Sequence, residues 1–258
     1  MIPIRPIGCF FPQDEKGNIL NPCHSKFISA YYRSFFDAFI LLAKERLGDN
    51  YHSCWLRGSL PRGLFQEGIS DIDLFILVKT KKYFKSRQVH YHSNLQQQYP
   101  EIKNVDIIEY GYTSKLGVAY PQLAMVIKTQ ALCLDGIAIG HELPNYKIGK
   151  AMMLQSRWLE DDLTKFLALM DYSSSELKAI CKIILRSGFE LVMEREMKYT
   201  NDLYICYVSF SKYYPDLSKE MRKALFWYLN PVSKNEMAKK TIEKLGNCLC
   251  QELQSLLL

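Results

Sequence analysis

Two aspartates, Asp71 and Asp73, stand at the start of an apolar run that ends at Val78. In a β-strand, residues i and i+2 project from the same face, roughly 7 Å apart along the chain. Two carboxylates on one face at the edge of an apolar core repel each other and lose hydration. A divalent cation offsets both costs, and Mg²⁺ is commonly held by one or two carboxylates together with substrate phosphates. The spacing therefore predicts that Asp71 and Asp73 bind Mg²⁺.

A glycine-serine pair upstream of these aspartates has the composition of a phosphate-binding turn. Gly58 and Ser59 are predicted to present backbone amides and the Ser59 hydroxyl to the β- and γ-phosphates of a nucleotide. A backbone that close to phosphate tolerates no Cβ, which explains the glycine. Arg57 and Arg62 flank the loop and either neutralise a triphosphate or remain solvated. Ser70 either binds a phosphate or caps the strand.

The whole pattern resembles the polymerase-β-like nucleotidyltransferase superfamily. The signature of that superfamily is an apolar residue, Gly, Gly or Ser, a spacer, then Asp, an apolar residue, Asp or Glu, and an apolar residue. Leu56, Gly58, Ser59 and the run 71–74 meet each element, and the resemblance covers residues 55–110. It implies an α+β fold with a small mixed sheet, followed by an all-α domain. It also implies transfer of a nucleoside monophosphate, with ATP or another NTP as co-substrate and Mg²⁺ as cofactor.

Two metal ions about 4 Å apart can stabilise the attacking and leaving oxygens of such a displacement, which requires a third acid. The predicted strand at 105–110 offers Asp106 and Glu109, which are three residues apart and therefore face opposite ways. Asp106 lies between Val105 and Ile107, as the third acid of the superfamily does. The resemblance thus implies that Asp106 is a metal ligand, the general base, or both.

Composition sets limits on the partners. The 258 residues are 48% apolar and 23% charged, and a net charge of +6 suits an anionic ligand. No run of five Lys or Arg occurs, so nucleic acid is not favoured as a partner. No secretory leader and no apolar stretch near the ~18 residues of a membrane span are visible. Eight scattered cysteines then predict reduced thiols in a cytoplasmic protein.

The signature must be positioned by the elements around it. Apolar patterning predicts a helix over 25–48 and strands over 71–78 and 105–110. Mixed polar sequence predicts a helix over 81–99, and the lack of alternation predicts another over 123–133. We assign residues 1–145 to the nucleotidyltransferase domain, of which residues 1–24 form an N-terminal extension with a turn at 13–18.

Every segment after about residue 146 is predicted to be helical, which makes 146–258 a helical domain for substrate or nucleotide binding. The first helix is expected over 147–170. Ser173 with Glu176, and Ser233 with Glu236, have the spacing of capping boxes that start later helices. We expect this domain to pack against the first and to leave a cleft.

The helical part resembles that of aminoglycoside 3″/9-type adenylyltransferases at 130–136 with 142–144, and at 186–203. This resemblance implies that Lys198, in the turn after a helix, binds the triphosphate opposite Ser59. It also implies an antibiotic-like small-molecule acceptor. Glu190 and Glu194 either line an acidic cleft for a cationic acceptor or form a solvated face.

Three functions are therefore open. The first is a nucleotidyltransferase for a small molecule, which would make the protein an antibiotic-resistance enzyme. The second is a toxin-like enzyme with the same chemistry and a protein or tRNA acceptor. The third is a catalytically silent nucleotide-binding module. The sequence indicates neither the base preference nor the oligomeric state.

Overall fold

The computed structural model describes residues 1–79, 86–88, 95, 97–102 and 105–257. The chain divides into two compact units. We call Leu20–Asn145 the sheet unit, and Met1–Ile19 together with Tyr146–Leu258 the helical unit. The expected α+β class is confirmed, since a mixed sheet is followed by helices. The first 19 residues group with the helices, whereas the sequence analysis assigns residues 1–24 to the nucleotidyltransferase domain.

In the described part of the sheet unit, five strands form one sheet in the order β3-β4-β2-β1-β5. Neighbouring strands are antiparallel except for β2 and β4, which are parallel. Its elements in chain order are α1 (Ala30–Leu47), β1 (Tyr51–Arg57), β2 (Ile72–Val78), β3 (Ser86–Gln88), β4 (Val105–Gly111), α2 (Leu116–Ala119), α3 (Pro121–Gln130) and β5 (Ala131–Gly136).

One face of this sheet is covered by α1. Phe35, Phe36 and Phe39 of the helix belong to the same buried cluster as Ile72 and Leu74 of β2. Side chains alternate along a strand, so the residues between these, including Asp73, project from the opposite face. The core therefore fixes which face of β2 presents its aspartate.

Two helix predictions in this unit are wrong in part. The helix expected over 81–99 fails at Ser86–Gln88, which forms the edge strand β3, while residues 80–85, 89–94 and 96 lie outside the described residues. The helix expected over 123–133 ends at Gln130. The chain then continues as β5, because the edge of β1 is available for antiparallel pairing and a short apolar segment is compatible with either structure.

The helical unit contains five helices among its described residues. They are α4 (Leu159–Ala168), α5 (Ser174–Glu196), α6 (Leu203–Tyr213), α7 (Ser218–Leu229) and α8 (Glu236–Leu257). No helix in the described parts of the chain is long and apolar enough to cross a membrane.

The helix expected over 147–170 begins only at Leu159. The backbone amides of Leu154, Gln155 and Ser156 donate to the buried Glu190 carboxylate at 2.8–3.2 Å. These amides are oriented toward one side chain and so cannot also form a helical ladder.

One of the two expected capping boxes forms. The Ser173 hydroxyl accepts from the Glu176 amide, and the Glu176 carboxylate accepts from the Ser173 amide. The second box is absent, because the Asn235 side chain accepts from the amide of Ala238 and so caps α8 itself.

The turn expected at 13–18 is present in the helical unit. Asp14 accepts from the amides of Lys16, Gly17 and Asn18, and Gln13 pairs with Ile19. The Ile19 amide then donates to the Tyr146 carbonyl at 2.8 Å. The last residue before the sheet unit and the first residue after it are therefore hydrogen-bonded to each other.

Candidate functional site

The parallel pairing of β2 and β4 places two of the predicted acids side by side. Asp73 stands opposite Asp106 in the register of the two strands. Paired residues on adjacent strands project from the same face, and the strands lie about 4.8 Å apart. The rings of Phe75 and Tyr110, further along the same face, meet edge to face at 5.9 Å. Asp73 and Asp106 therefore share the face that α1 does not cover.

The third predicted acid lies immediately outside this pair. Asp71 is two residues before Asp73 and precedes β2, and it is partly exposed. The side chain of Asp73 is 24% exposed, with a guanidinium nitrogen of Arg57 at 3.8 Å from its carboxylate. No group of three His, Cys, Asp or Glu side chains in the described ranges is arranged to hold a metal ion. Convergence of all three acids on one ion therefore stays a prediction.

Gly58 joins the loop after β1 to this pair of acids. Its φ of +92° is a conformation that L side chains rarely adopt, and a Cβ built there would lie 2.9 Å from Asp73 Oδ2. Arg57, the residue before it, pairs with Asp73 in the β1–β2 register. Carboxylate oxygens next to a glycine turn, where no side chain blocks a phosphate, suit a hard cation that prefers oxygen ligands and binds phosphate as well. The donor set thus fits Mg²⁺.

The remaining loop residues are held by local hydrogen bonds. Ser59 begins a short 3₁₀ turn without a capping bond from its side chain, and its carbonyl accepts from the Arg62 and Leu64 amides. Arg62 Nε donates to the Gly58 carbonyl at 3.0 Å. The Ser70 hydroxyl accepts from the Gln66 amide at 3.0 Å and closes the turn before Asp71.

A segment ahead of α1 supports this loop, and the sequence reasoning missed it. A Cβ at Gly63 would lie 2.7 Å from the Phe27 ring, and the His24 amide donates to the Pro61 carbonyl at 2.7 Å. Burial raises the pKa of the neighbouring Cys23 thiol to about 12, against the opposing effect of Arg62. The glycine at position 63 was the available sequence signal, but a glycine does not identify the ring that packs there.

The alternative third acid, Glu109, is engaged elsewhere. It is fully buried and forms an ion pair with Arg87, its register partner on β3. Its position three residues after Asp106 places it on the opposite face of β4.

Lys198 belongs to the helical unit, two residues after the end of α5. It is exposed, and its Nζ lies 5.1 Å above the centre of the Phe10 ring. Its expected position opposite Ser59 stays a prediction. Glu190, proposed above for an acidic cleft, is only 5% exposed and binds three backbone amides, so the cleft interpretation is wrong for this residue.

Comparison with known proteins gives the following results. Residues 43–123 match the nucleotidyltransferase domain family. No curated protein matched the chain. The solved structure of spectinomycin adenyltransferase AAD(9) from Enterococcus faecialis with ATP and spectinomycin is similar to 84% of this chain and 98% of that one, at 15% identity and a TM-score of 0.49. The matched range includes the Gly58-Ser59 loop and all three predicted acids, and it supports an enzyme of the nucleotidyltransferase type.

Proposed function

We propose that the protein transfers a nucleoside monophosphate, AMP from ATP, to a hydroxyl group of an acceptor in a Mg²⁺-dependent reaction. The observation that carries the proposal is the pairing of Asp73 with Asp106, beside a glycine loop whose backbone packs on Asp73. Both features lie within the range that matches the nucleotidyltransferase domain.

In this proposal Asp71, Asp73 and Asp106 hold the divalent ions. Such ions, when bound, would stabilise the negative charge on the attacking and leaving oxygens. The acceptor oxygen attacks the α-phosphorus in line, a new P–O bond forms, and the bond to the bridging oxygen breaks to release pyrophosphate. Asp106 takes the proton of the acceptor hydroxyl, for which its exposed position is suitable.

The triphosphate would be bound by Gly58, Ser59, Arg62, Ser70 and Lys198. The Ser59 hydroxyl makes no capping bond and can therefore donate to a phosphate oxygen. Arg62 and Ser70 shape the loop through their bonds to Gly58 and Gln66, and a phosphate would add to these bonds.

A small antibiotic-like molecule is the acceptor that we favour. This choice depends on the sequence resemblance at 130–136, 142–144 and 186–203 alone. A protein side chain or the end of a tRNA would require the same metal and phosphate groups, so the acceptor must be identified by experiment.

The test measures pyrophosphate release with each NTP and MgCl₂ against aminoglycosides, lincosamides, bulk tRNA and cell lysate. We expect release from ATP that depends on a small-molecule acceptor and stops with EDTA. Label on a protein or RNA band alone would assign the toxin-like function. Binding of MgATP without release in any arm would assign the silent nucleotide-binding module.

Asp73→Asn is the decisive variant. We expect turnover to fall by roughly 10²–10³ or more, because charge stabilisation at the reacting phosphate is lost. The fold should persist, since the change relieves repulsion between like charges. Asp37→Asn, an exposed acid on α1 of the same unit, is the matched control and should retain wild-type turnover. Equal turnover in the two variants would refute the metal site.

A further inference from the structure

The first residues of the chain run along the turn that carries Lys198. We call residues 8–13 the strap and 197–202 the lysine turn; both belong to the helical unit. The Phe11 amide donates to the Tyr199 carbonyl at 2.7 Å, and the Thr200 hydroxyl donates to the Cys9 carbonyl at 2.8 Å. The strap and the lysine turn are thus joined by one backbone–backbone bond and by one side-chain–backbone bond that spans 191 residues of sequence.

Asp202 strengthens this connection at one end. It occupies the N-cap position of α6 but makes no capping bond with its side chain, and its carboxylate instead accepts from the Cys9 amide at 3.0 Å. Gly8 has φ of +128°, and a Cβ there would lie 2.6 Å from Asp202 Cβ. The strap therefore approaches the turn as closely as only a glycine allows.

Aromatic contacts fix the middle of the strap. The Phe11 ring is buried and meets the buried Tyr199 ring edge to face at 5.1 Å. The Phe10 ring lies 6.3 Å from the ring of Phe189, a fully buried residue of α5. The same Phe10 ring, which is partly exposed, lies 5.1 Å from the ammonium nitrogen of Lys198.

We propose that the strap is a positioning element for nucleotide binding, in which Phe10 is a positioning residue that holds the Lys198 ammonium ready for the triphosphate. The inference rests on the proposed function, in which Lys198 binds the triphosphate. It assigns a role to the N-terminal segment, which lies outside the range that matches the nucleotidyltransferase domain.

The physical reason is the flexibility of lysine. A free lysine side chain populates many rotamers, and immobilising it costs binding free energy. A cation over an aromatic face is attracted by the ring quadrupole, and the N–H donors that do not face the ring stay accessible. The ring thus lowers the entropy of the free lysine without consuming the donors that a phosphate needs.

The experiment measures equilibrium dissociation constants of the full-length protein for Mg²⁺ complexes of ATP, GTP, CTP and UTP, and then uses the nucleotide that binds most tightly. We expect Lys198→Ala to weaken binding at least about tenfold. Phe10→Ala and Phe10→Leu should each weaken it about two- to fivefold, because both remove the ring. Phe10→Tyr, which keeps a ring, should bind as the wild type does.

The double variant separates positioning from packing. Once Lys198 is alanine, Phe10→Ala should change the dissociation constant less than twofold, since the lysine that it positions is gone. Phe226→Ala, which removes an exposed ring from α7 of the same unit, is the matched control and should bind as the wild type does.

The outcomes are distinguishable. Wild-type affinity in both Phe10→Ala and Phe10→Leu, with weakened binding in Lys198→Ala, would overturn the strap inference alone. Wild-type affinity in Lys198→Ala would overturn the role of Lys198 and the strap inference, while transfer by the sheet unit would stand. Failure of the wild type to bind any nucleotide would overturn the proposed function itself.

Discussion

Gly58 is the residue at which the loop and the acids depend on each other most directly. We expect Gly58→Ala to lower pyrophosphate release about 100-fold, because a Cβ at 2.9 Å from Asp73 Oδ2 must displace that carboxylate. Gly68→Ala is the control: Gly68 also has a positive φ of +76°, but nothing lies within 4 Å of the added carbon. If the two variants lose activity equally, backbone strain alone accounts for the defect and the contact with Asp73 does not matter.

His52 should make stability depend on pH. It is 5% exposed and stacks on Tyr112, and desolvation, with a smaller contribution from Lys79, lowers its pKa below the usual 6.5; Glu142 opposes this. The unfolded chain therefore binds the proton more readily than the folded one. The stabilisation is present above pH 6.5 and is lost as the pH falls through 6.5 toward the lower folded pKa.

We therefore expect the free energy of unfolding to be lower at about pH 5.5 than at about pH 7.5, and His52→Phe to reduce this difference. Urea unfolding at the two pH values measures it. An unchanged pH dependence in His52→Phe would show that other groups cause the acid sensitivity.

For single residues, the sequence predicted which face of its strand each acid occupies, but it did not predict which residue each acid contacts. Period-two geometry was sufficient to place Asp106 and Glu109 on opposite faces, which agrees with the buried pairing of Glu109 with Arg87. The partner itself could not be predicted, because the strand that carries Arg87 was expected to be a helix. The same holds for Phe27 against Gly63, since no local pattern reports a contact between segments 36 residues apart.

Among the elements, β5 shows where local pattern is insufficient. Residues 123–133 lack the alternation of a strand and were expected to be helical, yet the helix ends at Gln130 and the chain pairs with β1 from Ala131. A short apolar segment is compatible with helix and strand alike, and here the free edge of β1 decides between them. By contrast β2 and β4 were predictable, because both are short β-branched runs with acids at fixed positions.

Gly136 tests the pairing of β5 with β1. With φ of +86°, a Cβ there would lie 2.3 Å from the His52 carbonyl oxygen and 2.7 Å from Ser53 Cα, both backbone atoms that cannot move alone. We expect Gly136→Ala to lower the free energy of unfolding by about 3 kcal/mol, and Gly68→Ala by only about 1 kcal/mol. Urea unfolding measures both values. Similar losses of free energy in the two variants would mean that β1 shifts to accommodate the added Cβ.

At the scale of the whole molecule, the N-terminal segment completes the helical unit. Its membership of that unit could not be read from the sequence, because it depends on contacts with residues 146–258. The four main helices after residue 173, in contrast, were predictable from apolar spacing and from turn residues such as Pro215.

Phe11 measures the contribution of this segment to the helical unit. Phe11 is 3% exposed against Tyr199, so we expect Phe11→Ala to cost about 3–5 kcal/mol. Amide hydrogen exchange should accelerate in α5 and α6 more than in β1 and β2. Phe226→Ala removes a ring that is already 36% exposed and should leave the exchange pattern nearly unchanged. A uniform acceleration across both units would show that they unfold together.

The chain leaves the helical unit after Ile19 and returns to it at Tyr146, and this connectivity affects the order of folding during synthesis. A ribosome releases the strap before the sheet unit, but its partner Thr200 emerges only after the whole sheet unit has been made. Domains fold as units during synthesis, so the sheet unit has the opportunity to fold while the apolar strap still lacks its partners. Contacts between such distant segments are slow to form. Closure of the strap should therefore be among the last folding events, and until then Phe11 and Ile19 are apolar sites that a chaperone can recognise.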